Sequence, residues 1–178
     1  MKTTKFLRNL GYIKIGFFVS MFGGFMACSA PRVLVSEEKI HDGTWKLREQ
    51  ILSAGMQLLG KPYHKAGKGP SGFDCSGLVH FLFTEAGIPM GPSSKHQCNA
   101  GSEITLADAQ PGDLIFFGKN KQVHHVGLIT ANRDDAVYVL HSTSSKGVLN
   151  ENILKSDYWV RRMIRINRFD SYLSTPTP

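Results

Sequence analysis

The hydrophobic pattern of this chain changes period once, at Pro111-Gly112, and that change limits the folds open to it. Before it, apolar residues recur at helical spacing. Leu47, Ile51, Ala54, Leu58 and Leu59 share one face of a helix predicted over residues 44–59 and stopped by Gly60 and Pro62. A second helix is predicted from Cys75 or Ser76 to residue 86, between an N-cap at Asp74 and a closing glycine at Gly87. Leu78, Val79, Phe81, Leu82 and Phe83 make it apolar almost all round, so it belongs at the centre. Residues 94–99 read as a short third helix. After Pro111-Gly112 the pattern is one of apolar runs separated by turn residues, over 114–117, 123–130, 137–141, 147–149 and 159–166. Helices followed by consecutive strands predict an α+β fold, with N-terminal helices packed on an antiparallel β-sheet. Roughly 120 residues suffice for one modest core.

The segment Gly72-Phe73-Asp74-Cys75-Ser76-Gly77-Leu78-Val79 puts a cysteine where a loop enters the apolar helix. Unpaired amides at a helix N-terminus favour thiolate over thiol, and Ser76 and Gly77 leave room for a substrate to approach the sulfur. An isolated cysteine is by default a small buried hydrophobe, and Cys98 reads that way. The surroundings of Cys75 point instead to a nucleophile. Pairing it with Cys98 would block it, so no disulfide is expected.

Strand alternation decides which histidines can assist. Val123, His125, Gly127 and Ile129 point to one side of their run, and His124 to the other. Val137, Val139 and His141 share a face of the next run. A short turn pairs the two runs as a hairpin, which brings His125 and His141 together. The Cys75 helix is expected to cover that face. A thiol, a base and an orienting imidazole form a nucleophilic set. The rival is a zinc site of Cys75, His125 and His141, but no CxxC or HExxH spacing supports it. His41, His64, His80 and His96 fit no such arrangement.

Residues 1–27 stand apart from the domain. Lys2, Lys5, Arg8 and Lys14 form a basic front, and an apolar run follows over residues 15–26. The run is short for a membrane span and reads as a secretory signal. Ala27-Cys28 resembles the lipobox of bacterial lipoproteins, in which the cysteine is lipidated and begins the mature chain. An uncleaved anchor and ordinary signal cleavage are the alternatives. Residues 28–43 read as a tether, 44–170 as the domain and 171–178 as a disordered tail. The formal charge is +7, of which the four basic residues of the signal contribute four, leaving about +3. The remaining Lys and Arg are dispersed, which argues against nucleic acid as a partner.

From about Leu47 to Arg165 the chain resembles the NlpC-type cell-wall cysteine peptidases of the papain-like superfamily. The residues that carry the resemblance are Gly60-Lys61-Pro62-Tyr63, Asp74-Cys75-Ser76-Gly77-Leu78-Val79, Gln110-Pro111-Gly112-Asp113-Leu114, His125-Val126-Gly127-Leu128 and His141-Ser142. It implies a papain-like fold with the nucleophile at a helix N-terminus. It also implies hydrolysis of peptidoglycan stem peptides without cofactor or metal. By the same resemblance Cys75 is nucleophile, His125 base and then acid, and His141 the orienting residue; Tyr63, Asp74 and Ser76 line the substrate side. The segment Gly91-Pro92-Ser93-Ser94-Lys95-His96-Gln97 departs from the family pattern, with Pro92 at a usual Arg position. The γ-D-glutamyl–diamino acid bond is placed slightly ahead of the D-alanyl–diamino acid cross-link as the target. Another thiol amidase or acyltransferase chemistry, or a catalytically silent wall-binding role, stands as the alternative. The expected setting is a monomer in the bacterial cell envelope, held to the lipid bilayer through acylated Cys28 at the outer membrane, facing the periplasm.

Overall fold

The computed structural model describes residues 37–169. The signal, Cys28, most of the tether and the tail at 171–178 lie outside them. The first helix, α1, spans Glu37–Met56. It starts before the predicted residue 44 because it runs through Gly43; one internal glycine costs only about 1 kcal/mol. It stops short of residue 59 because the chain is recruited by a strand. Gly60 takes φ 78° and donates its N–H to the Val148 carbonyl, and Val148 N–H donates back to Lys61.

The stretch before Cys75 contains a small hairpin, β1 (Lys68–Gly69) and β2 (Gly72–Phe73). Helix α2 follows at Cys75–Glu85, and α3 at Ser94–Cys98. The remaining strands are β3 (Ser102–Ile104), β4 (Leu114–Lys119), β5 (Gln122–Arg133), β6 (Ala136–Thr143), β7 (Gly147–Asn152) and β8 (Met163–Arg168). Strands β3 to β8 form one antiparallel sheet in the order β3-β8-β4-β5-β6-β7. The α+β expectation is met, with helices preceding the sheet. Residues 159–166 are not one strand: a 3₁₀ turn (Ile153–Lys155) and a one-turn helix, α4 (Asp157–Val160), come first, so Trp159 is helical. A single turn is too short for hydrophobic period to reveal.

Both sheet faces are covered. On one, Leu78, Val79, Leu82 and Phe83 of α2 pack against Leu114, Phe116, Val126, Leu128 and Leu140. On the other, Ile115, Phe117, Ile129, Val137 and Val139 pack with Ile153, Trp159 and Met163. His125 pairs with Phe117, and His141 alternates with Val137 and Val139, so both histidines belong to the second face. This reverses the expectation that α2 covers them. The helix goes to the broader apolar patch, and the 3₁₀ turn and α4 cover the histidine side.

A β-bulge adds a second correction. Phe117 pairs with His125 but Gly118 pairs with Val123, so His124 is the extra residue. The bulge breaks the alternation, and Val123 packs on the α2 side rather than with His125. Asp113 ties the layers together. Fully buried, it accepts from Arg48 Nη2 at 2.9 Å and Arg168 Nη2 at 3.0 Å.

Candidate active site

Asp74 caps α2: its Oδ1 accepts from the Gly77 N–H at 2.6 Å and from Ser76 Oγ at 2.9 Å. Ser76 is therefore buried, with its hydroxyl committed to Asp74 rather than open to a ligand. The space at Gly77 is also taken, because a Cβ there would collide with the Gly67 carbonyl. What Gly77 admits is the neighbouring backbone, not substrate.

Strands β5 and β6 pair only as far as Leu128 and Leu140. Beyond that pair, the segment leading into α2 is attached to β6, where Ser142 Oγ donates to the Phe73 carbonyl at 2.7 Å. The backbone amide of Val126 on β5 lies near enough to Cys75 to favour its thiolate. The α2 N-terminus is thus seated where the two strands part, and the thiol lies beside the residue that follows His125. Burial pushes the Cys75 thiol above its usual value, and the charge of Asp74 adds to the rise. The amides of Val126, Ser76 and Cys75 oppose it without overcoming it. Burial thus works against the thiolate that the helix N-terminus alone would favour. Tyr63 is half-buried, bridges to Phe73, and has its phenol pushed up by burial, then by the charges of Asp74 and Cys75. Asp74 also acts on His125. Tyr63, Asp74, Cys75 and His125 therefore share one corner.

Behind the thiol runs a line of side chains. His125 Nε2 lies 3.0 Å from His141 Nδ1, and His141 Nε2 lies 3.1 Å from Glu151 Oε1. Glu151 Oε1 also accepts from Trp159 Nε1 at 2.8 Å. The Trp159 ring stacks on His125, with centroids 4.8 Å apart and planes 27° apart. Burial, and then the neighbouring His141, push His125 down to about 3. Burial, and then Lys146, push His141 down to about 4. Both imidazoles are neutral in the resting site. A cleft of about 680 Å³ opens on this side, lined by His125, Glu151 and Trp159 and bordered by Lys119, Lys146 and Arg162. Exposed His124 also borders it.

Glu151 and Trp159 were not singled out in the sequence. A signal for Glu151 existed: extending the run at 147–149 by period two puts Glu151 on the face of Leu149, which pairs with His141. Trp159 had none, because it reaches the site from a one-turn helix.

Residues 60–168 match the model of the NlpC/P60 family. The bifunctional muramidase/DL-endopeptidase CwlT of Bacillus subtilis is 32% identical over 71% of this chain, and the γ-DL-glutamyl hydrolase of Bacillus subtilis is 37% identical over 62%. The matched regions make up 38% and 27% of those two relatives. Among solved structures, an NlpC/P60 family protein from Bacillus cereus superposes with a TM-score of 0.63 at 28% identity, over 71% of this chain and 40% of that one. With nucleophile-type helix, histidine strand and sheet order all inside the matched span, the chain belongs to the NlpC/P60 family.

Proposed function

We propose that this protein is a peptidoglycan endopeptidase that cuts stem-peptide amide bonds through Cys75, His125 and His141. The observation that carries the reading is the His125–His141 pair at 3.0 Å, with Cys75 at the N-terminus of α2 near the amide of Val126, the residue next to His125. In the proposed mechanism His125 takes the Cys75 proton as the sulfur attacks the scissile carbonyl. The Cys75 N–H helps hold the developing oxyanion. His125 then protonates the leaving amine, and water hydrolyses the thioester with His125 as base. Both Asp74 bonds go to Oδ1, and no hydrogen bond to Oδ2 is present among the described residues. That oxygen and the Tyr63 hydroxyl are suited to a substrate amine or amide, with Ser76 holding Asp74 in place.

The preferred bond in this reading is γ-D-glutamyl–diamino acid. The names DL-endopeptidase and γ-DL-glutamyl hydrolase of two relatives support it over the D-alanyl–diamino acid cross-link. Lipidation at Cys28, holding the domain at the outer membrane within reach of the wall, completes the proposal. Its support is the Ala27-Cys28 pair behind a basic and apolar leader.

Digestion of purified peptidoglycan by the protein, with products read by mass spectrometry, tests the reading. Fragments ending in γ-linked glutamate are expected, and none with Cys75→Ala. Release of intact tetrapeptide monomers from cross-linked dimers would move the cut to the cross-link, and no cleavage of either bond would overturn the proposal.

A further inference from the structure

The donor and acceptor logic of the histidine line can be followed from its far end. A carboxylate accepts hydrogen bonds and cannot donate them. The 3.1 Å contact between His141 Nε2 and Glu151 Oε1 therefore requires the proton of neutral His141 to sit on Nε2. Its Nδ1 is then bare, and the 3.0 Å contact with His125 Nε2 requires His125 to donate from Nε2. The nitrogen of His125 left without a proton is Nδ1. An imidazole can act as base only at its bare nitrogen, so a wrong tautomer silences it even in correct geometry.

Glu151 is itself held. Trp159 Nε1 donates to the same Oε1 at 2.8 Å, and the Trp159 ring lies against both imidazoles, 4.8 Å from His125 and 5.0 Å from His141 between centroids. The carboxylate is about two-thirds buried. Strand β7 contributes it from a position paired with Val139, one step along the same face from His141. His141 is fully buried, and among the described residues its Nε2 has Glu151 Oε1 as its hydrogen-bond partner.

We propose that Glu151 is a positioning residue for this site, and that its carboxylate sets the proton on Nε2 of His141 and so leaves Nδ1 of His125 free to act as base. This rests on the reading of His125 as base given above, but its central claim concerns proton positions that are present without substrate. Glu151 touches no reacting atom. It acts through two imidazoles in series, and Trp159 fixes the oxygen it uses.

The test is ¹⁵N NMR of ¹⁵N-histidine-labelled protein at about pH 7, in the wild type and in Glu151→Gln and Glu151→Leu. The wild type should show a protonated Nε2 and a bare Nδ1 on both His125 and His141. Glu151→Gln keeps an acceptor oxygen and should preserve that signature, whereas Glu151→Leu should mix the tautomers of both rings. Hydrolysis by Glu151→Leu should fall by roughly 10- to 100-fold in kcat with KM little changed, and Glu151→Gln should restore most of it. A bare Nε2 on His125 in the wild type, or an unmixed signature in folded Glu151→Leu, would overturn the proposal. Because the tautomers are read without turnover, they can be scored in a Cys75→Ala background. A correct signature together with no stem-peptide cleavage by the protein with Cys75 intact would sink the proposed function and leave the role of Glu151 standing.

Discussion

Gly127 faces His141 so closely that a Cβ built on it would lie 3.1 Å from the His141 Cβ and collide with Cγ1 of Val139. Room beside His125 is thus used by the protein itself, to let the histidine of the next strand come across. Gly127→Ala should push His141 or Val139 aside and lengthen the 3.0 Å contact between the imidazoles. Overpacking of this kind costs about 1–3 kcal/mol. The expected outcome is a folded protein with a lowered melting temperature and at least about tenfold less hydrolysis, since oriented acid–base groups are typically worth more than that. Wild-type turnover in Gly127→Ala would show that the His125–His141 contact is not needed.

The two imidazoles, His141 fully buried and His125 partly so, also predict acid lability. In the folded protein they are pushed down to about 3 for His125 and about 4 for His141, whereas an unfolded histidine titrates near ~6.5. Between those limits the unfolded chain binds protons that the folded chain refuses, so stability rises with pH. The contribution is fully present above about pH 6.5 and is lost as pH falls towards 4 and 3. Melting temperatures measured across that window should drop faster for the wild type than for a His125→Asn/His141→Asn double variant. Equal slopes would mean that other groups drive the acid transition.

For the thiol, burial outweighs the three backbone amides, and burial also pushes His125 down, so both shifts favour the uncharged pair. Alkylation of Cys75 by iodoacetamide tracks the thiolate fraction, so its rate should climb steeply through neutral pH without levelling off near about pH 6. A plateau in the acid range would reveal a preformed thiolate–imidazolium pair. Cys98, whose thiol is also pushed up by burial, offers an internal comparison in the same peptide digest.

Ser142 is almost fully buried, and its hydroxyl donates to the Phe73 carbonyl at 2.7 Å, two residues before the nucleophile. Ser142→Ala should cost about 1 kcal/mol in urea unfolding. It should also lower kcat several-fold, because the bond anchors the start of the Cys75 helix to the strand that carries His141. A destabilised variant with unchanged kcat would separate the anchor from the chemistry.

Short-range chemistry was legible in the residues. The Cys75 helix could be read because its determinants are local: a capping carboxylate at Asp74, an apolar run behind it and a glycine after it. The strand with His125 and the strand with His141 could be read because alternation is a property of a few neighbouring residues. Their meeting in one hairpin followed from the short turn between them, and the hairpin is present.

Other features depend on what each element finds across space. Which sheet face α2 covers is a competition between two apolar surfaces, and the side with Leu114, Phe116, Val126, Leu128 and Leu140 wins it. The bulge at His124 exists only through the register of β4 against its neighbours, and it moves Val123 away from the face of His125. Trp159 comes from a single helical turn too short to signal itself, and Glu151 from the end of a strand whose period alone hinted at its face; both are brought to His125 and His141 by the folding of the chain past β6. By itself the sequence determined the elements and the reactive residue types, because propensity, capping and alternation act over a handful of positions. Only the tertiary structure decided the faces, the register and the third and fourth partners of the histidine line, because those arise from burial and pairing between residues distant along the chain.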